Sequence, residues 1–436
     1  ELAFKVPVAV TARLYAEASP AVLGWGNPVE QTKNAFATIR ALVCLMALCG
    51  NLDVPGGNID ATEPGILSLG RFVRADLLPD KRKTMLHASK GAITGLMTVP
   101  PAHFRTAVLE DDPYPVRGAY IQCSNPLLTW ADSERTKAAL SKLDFLAVSE
   151  ITLTPTAALA DVVLPAATFP EFDDIGHFGL GHGMLFPRPK LADPPGECRS
   201  DMSILNALGR RLTREDLWFE SEREAIDTIL APAGMDFESF CRRGALTGEQ
   251  SFRKHEGEGF KTPSGKVELV LSRAESLGVA PIPHWEGPPE AVDADYPLRL
   301  TSAKSPVFLH SSYRWVESLR RREPEPAALI HPQTAREFGI VDGGWVEIAT
   351  SRGGIVQKAC LTERILPGVV QAAYGWWFPE EDSALFGWSR SNYNRLTSVQ
   401  GMGREFGTPN LKGIKCRISP APQAHQAQDQ SPAGPD

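Results

Sequence analysis

No stretch of this 436-residue chain approaches the run of about 18 apolar residues that a membrane-spanning helix needs, and direct insertion into a bilayer is not expected. The longest candidate run is residues 41–48. The first ten residues lack an initiating methionine, a basic stretch and a following apolar stretch, so no targeting peptide is visible and the natural amino terminus is expected upstream. Cysteine is sparse: Cys44, Cys49, Cys123, Cys198, Cys241, Cys360 and Cys416 include no pair at the two-residue spacing that zinc or cluster ligands usually use. An odd, widely spaced set in so large a chain also makes no disulfide framework, and isolated buried thiols are expected. A basic excess is missing as well, with 45 Lys and Arg against 52 Asp and Glu and a net charge of −7, which argues against a nucleic-acid footprint.

The balance that remains, 43% hydrophobic and 22% charged, is that of a globular protein with a sizeable core. The length calls for two or three domains. Apolar positions at helical spacing predict helices over 8–18 and 35–49, the second bounded by Asn34 and Gly50, with a tight loop over 51–58. Residues 60–117 show no clear period and read as surface excursions. Residues 119–123, 133–143 and 145–149 then predict strand, helix and strand, a βαβ unit whose crossover implies parallel pairing in a covered sheet. A third short buried strand follows at 161–165, and helices at 202–212 and 225–230. Proline and acidic residues cluster over 281–295, where a domain boundary is placed. Beyond it, β-type runs at 298–301, 345–350, 355–361 and 369–374 are separated by turns such as Asp342-Gly-Gly344, and a mostly β barrel is expected. After Pro420 the polar composition predicts a disordered tail.

Several residues could carry chemistry. Ser124-Asn125-Pro126 follows the first predicted strand and Glu150 the second, which places both at the carboxyl edge of a parallel sheet, where open α/β folds bind ligands. A carboxylate there can accept from a ribose diol or from guanine N1 and N2, and Asn125 and Thr154 can meet polar edges. A plain turn and a surface acid would read the same way. The strand end Cys-Ser-Asn-Pro is no Gly-x-Gly-x-x-Gly loop, which speaks against a nicotinamide-dependent dehydrogenase. Farther on, Thr301, Ser302 and Lys304, then His310, Ser311 and Ser312, suit a polyanionic ligand, although a lone histidine is often structural. Ser391-Asn-Tyr-Asn394, Lys412 and Lys415 add donors and acceptors, or form a solvated loop.

Taken together, Gly50-Asn-Leu-Asp-Val-Pro-Gly-Gly-Asn58, Cys123-Ser-Asn-Pro-Leu127, Pro155-Thr-Ala-Ala-Leu-Ala-Asp-Val-Val-Leu-Pro165, Gly196-Glu-Cys-Arg-Ser-Asp201, Phe260-Lys-Thr-Pro-Ser-Gly-Lys-Val-Glu268 and Ile340-Val-Asp-Gly-Gly344 resemble the molybdopterin oxidoreductases of the dimethyl sulfoxide reductase superfamily in order and spacing. The resemblance covers about residues 1–418. It implies an α/β fold: parallel-sheet nucleotide-binding domains over 1–290, a C-terminal double-psi β-barrel over 291–420, and the tail at 421–436. It further implies two molybdopterin guanine dinucleotides carrying molybdenum or tungsten. One nucleotide would be held by Asn125, Glu150, Thr154 and Asp201 beside Cys123. Ser302, Lys304, His310, Ser311, Asn394 and Lys412 would form the barrel's cofactor segments.

Two segments of that family have no counterpart here: the cysteine-rich start that ligates a 4Fe-4S cluster, and the residue that ligates the metal. The chain therefore reads as a carboxyl-terminal portion, inactive alone, of an enzyme performing two-electron redox on a small substrate. The segments His310-Ser-Ser-Tyr-Arg314 and Gly375-Trp-Trp-Phe-Pro379 look closest to the thiosulfate and polysulfide reductase branch and to acetylene hydratase-like proteins. A formate dehydrogenase-like subunit is the alternative, as is a non-catalytic cofactor-binding or interaction module in which Trp376 and Trp377 anchor an interface rather than a core. The family implies an iron–sulfur electron-transfer subunit and a membrane-anchor subunit as partners, no nucleic acid, and a cytoplasmic or periplasmic location.

Overall fold

The computed structural model describes residues 8–73, 81–90, 98–284, 287, 290–403 and 405–421. The expected tail therefore lies, except for Ala421, outside the described residues, as do the first seven positions and parts of the proposed boundary near Gly287.

The predicted βαβ unit is present. Strands β1 (Gly118–Gln122), β2 (Phe145–Glu150) and β3 (Val162–Pro165) form a parallel sheet in that order. The crossover helix Ser133–Lys142 begins at Asp132, whose carboxylate accepts from the backbone N–H of Arg135, satisfying one of the donors a helix start leaves open. Its Leu140 packs with Leu146 and Val148 of β2, whose four central residues are all buried. Strand β3 corrects the expectation of a buried strand. It pairs on one side only, and Val162 and Val163 are 40% and 38% exposed, so it is the sheet's edge. The carboxyl ends of β1 and β2 lie side by side, with Gln122 opposite Ser149.

A second, antiparallel sheet of β4 (Asp174–Gly176), β5 (Met184–Arg188) and β6 (Leu246–Thr247) packs with the helices Glu222–Leu230 and Phe237–Arg243 around Leu185, Ile226, Phe237 and Phe240. None of these three strands was legible in the sequence. The reading of 60–117 as surface excursions is also corrected, because Pro101–Glu110 is a helix that buries Ala102, Arg105, Ala107 and Val108. Arg105 disguised it: its guanidinium is 1% exposed and donates to the Ala131 carbonyl at 2.5 Å and to Thr136 Oγ1 at 2.7 Å. Among the cysteines, Cys416 is buried but Cys123 and Cys360 are exposed, against the expectation of uniformly buried thiols; all seven are free.

The carboxyl-terminal part closes into a six-stranded barrel. Strands β7 (Leu298–Ala303), β8 (Ala327–Ile330), β9 (Trp345–Thr350), β10 (Gly353–Leu361), β11 (Val369–Ala373) and β14 (Ile414–Pro420) run round it in the order β10-β8-β11-β7-β14-β9, and β12 (Ser398–Gly403) pairs with β13 (Thr408–Asn410) outside. The pairing is mixed, parallel for β7–β11 and β8–β10 and antiparallel elsewhere, as in the expected double-psi barrel. Leu300, Ile330, Val346, Ile348 and Val370, each completely enclosed, fill it by period-two alternation.

The barrel and the parallel sheet meet at the helical turn Pro126–Thr129 and at the start of the crossover helix, where Arg352 and Thr397 bond Asp132 and Arg395 bonds Glu134. Leu127 and Leu128 are fully buried against Trp377 and Trp388. The carbonyls that a helix end leaves without partners are met from the barrel side: Asn392 Nδ2 donates to Leu127 O at 3.0 Å, Asn394 Nδ2 to Leu128 O at 2.8 Å and Tyr374 OH to Thr129 O at 3.1 Å. Segment 391–394 is therefore no solvated loop but core. Trp376 and Trp377, 0% and 1% exposed, are core as well, which removes the reading of this pair as an interface anchor. Replacing Asn392 by Ala strands the buried Leu127 carbonyl and should lower stability by about 1–3 kcal/mol in urea unfolding. An unchanged transition would contradict this docking.

Candidate functional site

Between the carboxyl edge of the parallel sheet and the barrel loop 309–312 lies a cavity of about 470 Å³. Of the eleven residues singled out from the sequence, Cys123, Asn125, Glu150, Thr154, Asp201, His310 and Ser311 all line it.

On the sheet side, Cys123 ends β1 with a positive φ of 52°, which turns the chain away from the strand direction. Asp201 opens the helix Asp201–Leu212, whose cap Ser200 accepts from the Ser203 N–H. The Asp201 carboxylate thus sits at the positive end of a helix dipole. It accepts from Cys123 Sγ and from Ser149 Oγ, each at 3.0 Å. Burial, then the hydrogen bond to Asp201 and the charges of Asp201 and Glu150, push the Cys123 thiol up to about 12, so it is a neutral donor rather than a thiolate. Burial likewise raises the Glu150 carboxyl above its ordinary value, opposed by the Ile151 N–H, which donates to Glu150 Oε1 at 2.9 Å.

Asn125 spans the cavity floor. Its Nδ2 donates to Ser311 Oγ at 3.3 Å, and its Oδ1 accepts from Thr156 Oγ1 at 2.5 Å. Thr154 Oγ1 accepts from the Ala157 N–H at 3.2 Å. The barrel wall is equally fixed. His310 holds a φ of 52°, and a Cβ on Gly375 would stand 2.9 Å from the His310 carbonyl, so the two loops touch backbone to backbone. Trp377 Nε1 donates to Ser311 O at 2.8 Å.

The other four predicted residues do not line this cavity. Lys412 Nζ donates to Ser302 O at 2.8 Å and Ser302 Oγ at 2.6 Å. Lys304 lines a neighbouring cleft of about 150 Å³ that shares Tyr374 with the main cavity. Asn394 spends its amide on Leu128 O and on Thr397, whose Oγ1 donates to Asn394 Oδ1 at 3.0 Å. Burial, then the charge of Lys304, lowers the Lys412 ammonium to about 8, and the same two causes lower His310. Sequence reasoning missed Ser149, Thr129, Trp315 and Tyr374, which also line the cavity. Ser149 was within reach, since it precedes Glu150 at the predicted strand end. The others arrive through the docking of the barrel and had no local signal.

A family model described as molybdopterin oxidoreductase matches residues 5–211, and one described as molydopterin dinucleotide binding domain matches residues 298–415. The chain belongs to the molybdopterin oxidoreductase family. The chain is similar to the acetylene hydratase of Syntrophotalea acetylenica, at 26% identity over 92% of the chain and 60% of the relative. It is similar also to the dimethyl sulfoxide/trimethylamine N-oxide reductase of Cereibacter sphaeroides, at 28% identity over 90% of the chain and 53% of the relative. The chain thus spans little more than half the length of these curated relatives. The solved acetylene hydratase from Pelobacter acetylenicus shares its fold, with a TM-score of 0.88 and 24% identity over 94% of the chain and 62% of that structure.

The two domains imply a molybdenum or tungsten molybdopterin guanine dinucleotide. The donor set fits such a group. Carboxylate acceptors on the sheet side suit the donors of guanine, and the half-buried Lys412 ammonium, which among the described residues bonds Ser302 alone and has a second lysine nearby, is a cation short of negative charge.

Two outcomes follow. At about pH 8 Cys123 should resist iodoacetamide despite its exposure, and Asp201→Asn should speed its alkylation, as followed by peptide mass mapping; a fast parent reaction would contradict the geometry. The weakened acidity of Glu150 means that ionising it costs the folded state. That cost is absent below the ordinary value of 4.5, grows as pH rises from there and is complete once pH passes the folded value. Glu150→Gln should therefore raise the thermal midpoint over the parent at about pH 7, with the gap closing by about pH 4.

Proposed function

We propose that the cavity between sheet and barrel holds the guanosine end of a molybdopterin guanine dinucleotide, within an enzyme that carries out two-electron redox on a small substrate. The observation that carries this reading is the meeting of Glu150, Asp201 and Asn125 with His310 and Ser311 around one cavity. When bound, the metal on the pterin supplies the redox couple. The residues here bind and orient. Asp201, held by Cys123 and Ser149, keeps its position without a ligand and offers acceptor capacity to guanine N1–H and N2–H. Glu150 faces the same space as a second acceptor, for the guanine or the ribose diol. Lys304 and Lys412 offer positive charge to a pyrophosphate and His310 a neutral ring N–H, and the arrival of the phosphates would return Lys412 toward its ordinary ammonium range.

A second nucleotide of the same kind completes the cofactor, and an iron–sulfur electron-transfer subunit and a membrane-anchor subunit serve the whole protein. A sulfur compound is the substrate we favour, on the resemblance of His310–Arg314 and Gly375–Pro379 to sulfur-compound reductases. The nucleotide part of the reading is tested by calorimetric titration of the chain with GDP and ADP. GDP should bind at least about tenfold more tightly, because a site built around hydrogen-bonded guanine rejects a base that leaves its acceptors unpaired. Asp201→Asn should erase that preference. Equal affinity for the two nucleotides in the parent would overturn the assignment.

A further inference from the structure

Behind the barrel wall of the cavity lies Arg314, only 1% exposed. Its guanidinium sits between two rings, 3.9 Å from the centroid of Phe308 and 4.2 Å from that of Trp376. The stack continues outward: Arg320 lies 5.0 Å from Trp376 and 5.8 Å from Phe378, and Arg390 lies 3.6 Å from Phe378, so that arginines and aromatic rings alternate. The outer two arginines end in ion pairs, Arg320 with Glu380 at 2.6 Å and Arg390 with Glu381 at 2.5 Å. Arg314 differs from both. Among the described residues no carboxylate pairs with it, and its Nε and Nη1 have no hydrogen-bond partner. Burial pushes the guanidinium down to about 9, against the charge of Glu323. A buried cation so poorly compensated is a weak source of stability.

What Arg314 does fix is geometry. Its Nη2 donates to the His310 carbonyl and to the Tyr374 carbonyl, each at 3.2 Å. Both residues line the cavity, and their rings meet edge to face at 6.0 Å. The next carbonyl, that of Ser311, accepts from Trp377. With two successive carbonyls engaged from the protein side, the His310 and Ser311 side chains are left to the cavity. The loop needs such restraint: His310 and Tyr313 hold positive φ values of 52° and 66°, which non-glycine residues keep only where their surroundings impose them.

We propose that Arg314 is a positioning residue for nucleotide binding, one guanidinium nitrogen clamping the His310 and Tyr374 segments together and so fixing the barrel wall against which the nucleotide sits. Arg314 does not line the cavity, so it acts through the backbone it holds rather than by contact. The consequence for binding rests on the nucleotide reading of the cavity, whereas the clamp itself can be read without a ligand.

The test uses the full chain and three readouts: hydrogen–deuterium exchange of residues 309–312 without ligand, GDP affinity by calorimetry, and the thermal midpoint. Arg314→Met keeps an apolar filling between Phe308 and Trp376 but removes the donor, so loop exchange should speed up about tenfold and GDP should bind about tenfold more weakly. Arg314→Lys keeps the charge but ends one bond short of Nη2. It should shift both readouts in the same direction, which separates a clamp from a long-range attraction between the cation and the phosphates. Val346→Ala, a truncation in the enclosed barrel interior, should lower the thermal midpoint and leave loop exchange and GDP affinity at parental values. Parental loop exchange in both arginine variants, parental GDP affinity in Arg314→Lys, or an equal loss of affinity in Val346→Ala overturns the proposal. Absence of GDP binding in the parent would sink the nucleotide reading instead, and loop exchange in the ligand-free variants would still decide the clamp. Should Arg314→Met fail to fold, Arg314→Lys carries the comparison.

Discussion

Three carbonyl groups decide how this chain is put together. Leu127, Leu128 and Thr129 lie on a helical turn too short to satisfy its own carbonyl ends, and Asn392, Asn394 and Tyr374 reach across from the barrel to do so. The interaction is enclosed by Leu127, Leu128, Trp377 and Trp388, where an unmet carbonyl would cost far more than at a surface. Since the turn directly follows Cys123-Ser-Asn125, seating it against the barrel also carries the sheet's carboxyl edge up to loop 309–312. The cavity is a by-product of satisfying backbone hydrogen bonds.

The two walls so brought together differ in charge. The sheet side presents Glu150 and Asp201, and behind the neutral His310 of the barrel side stand the cations Lys304 and Lys412. Neither set neutralises the other within the protein. Burial pushes the Glu150 carboxyl up and the Lys412 ammonium down, both toward their uncharged forms, which is the signature of groups held out of water for a ligand rather than for each other. A nucleotide has donors at its base and negative charge at its phosphates, and it can meet both walls at once.

Much of this was legible in the sequence, and what was not has definite causes. The βαβ unit announced itself because β2 is buried on both faces and its helix keeps strict spacing, and four of the six barrel strands showed as β-type runs between glycine turns. Strand β8 escaped because Ala327–Ile330 is only four residues long. Strand β14 escaped because Lys415 and Arg417 alternate with its buried Ile414, Cys416 and Ile418, so a half-buried strand reads as polar. Helix Pro101–Glu110 was hidden by Arg105, a buried cation whose partners lie about thirty residues away. Asn392 and Asn394 misled in the same way, as polar residues whose partners are backbone groups from another part of the chain. The site residues at strand ends could be named in advance because a parallel sheet fixes which edge binds; Tyr374 and Trp315 depend on the docking, which no local pattern encodes.

The central claim is that sheet and barrel together make one nucleotide site. Hydrogen–deuterium exchange of the chain with and without saturating GDP tests it most directly. The account predicts that protection appears together in three segments distant in sequence, residues 122–126, 149–154 and 309–312. Protection confined to the sheet segments, with the barrel loop exchanging as before, would contradict it.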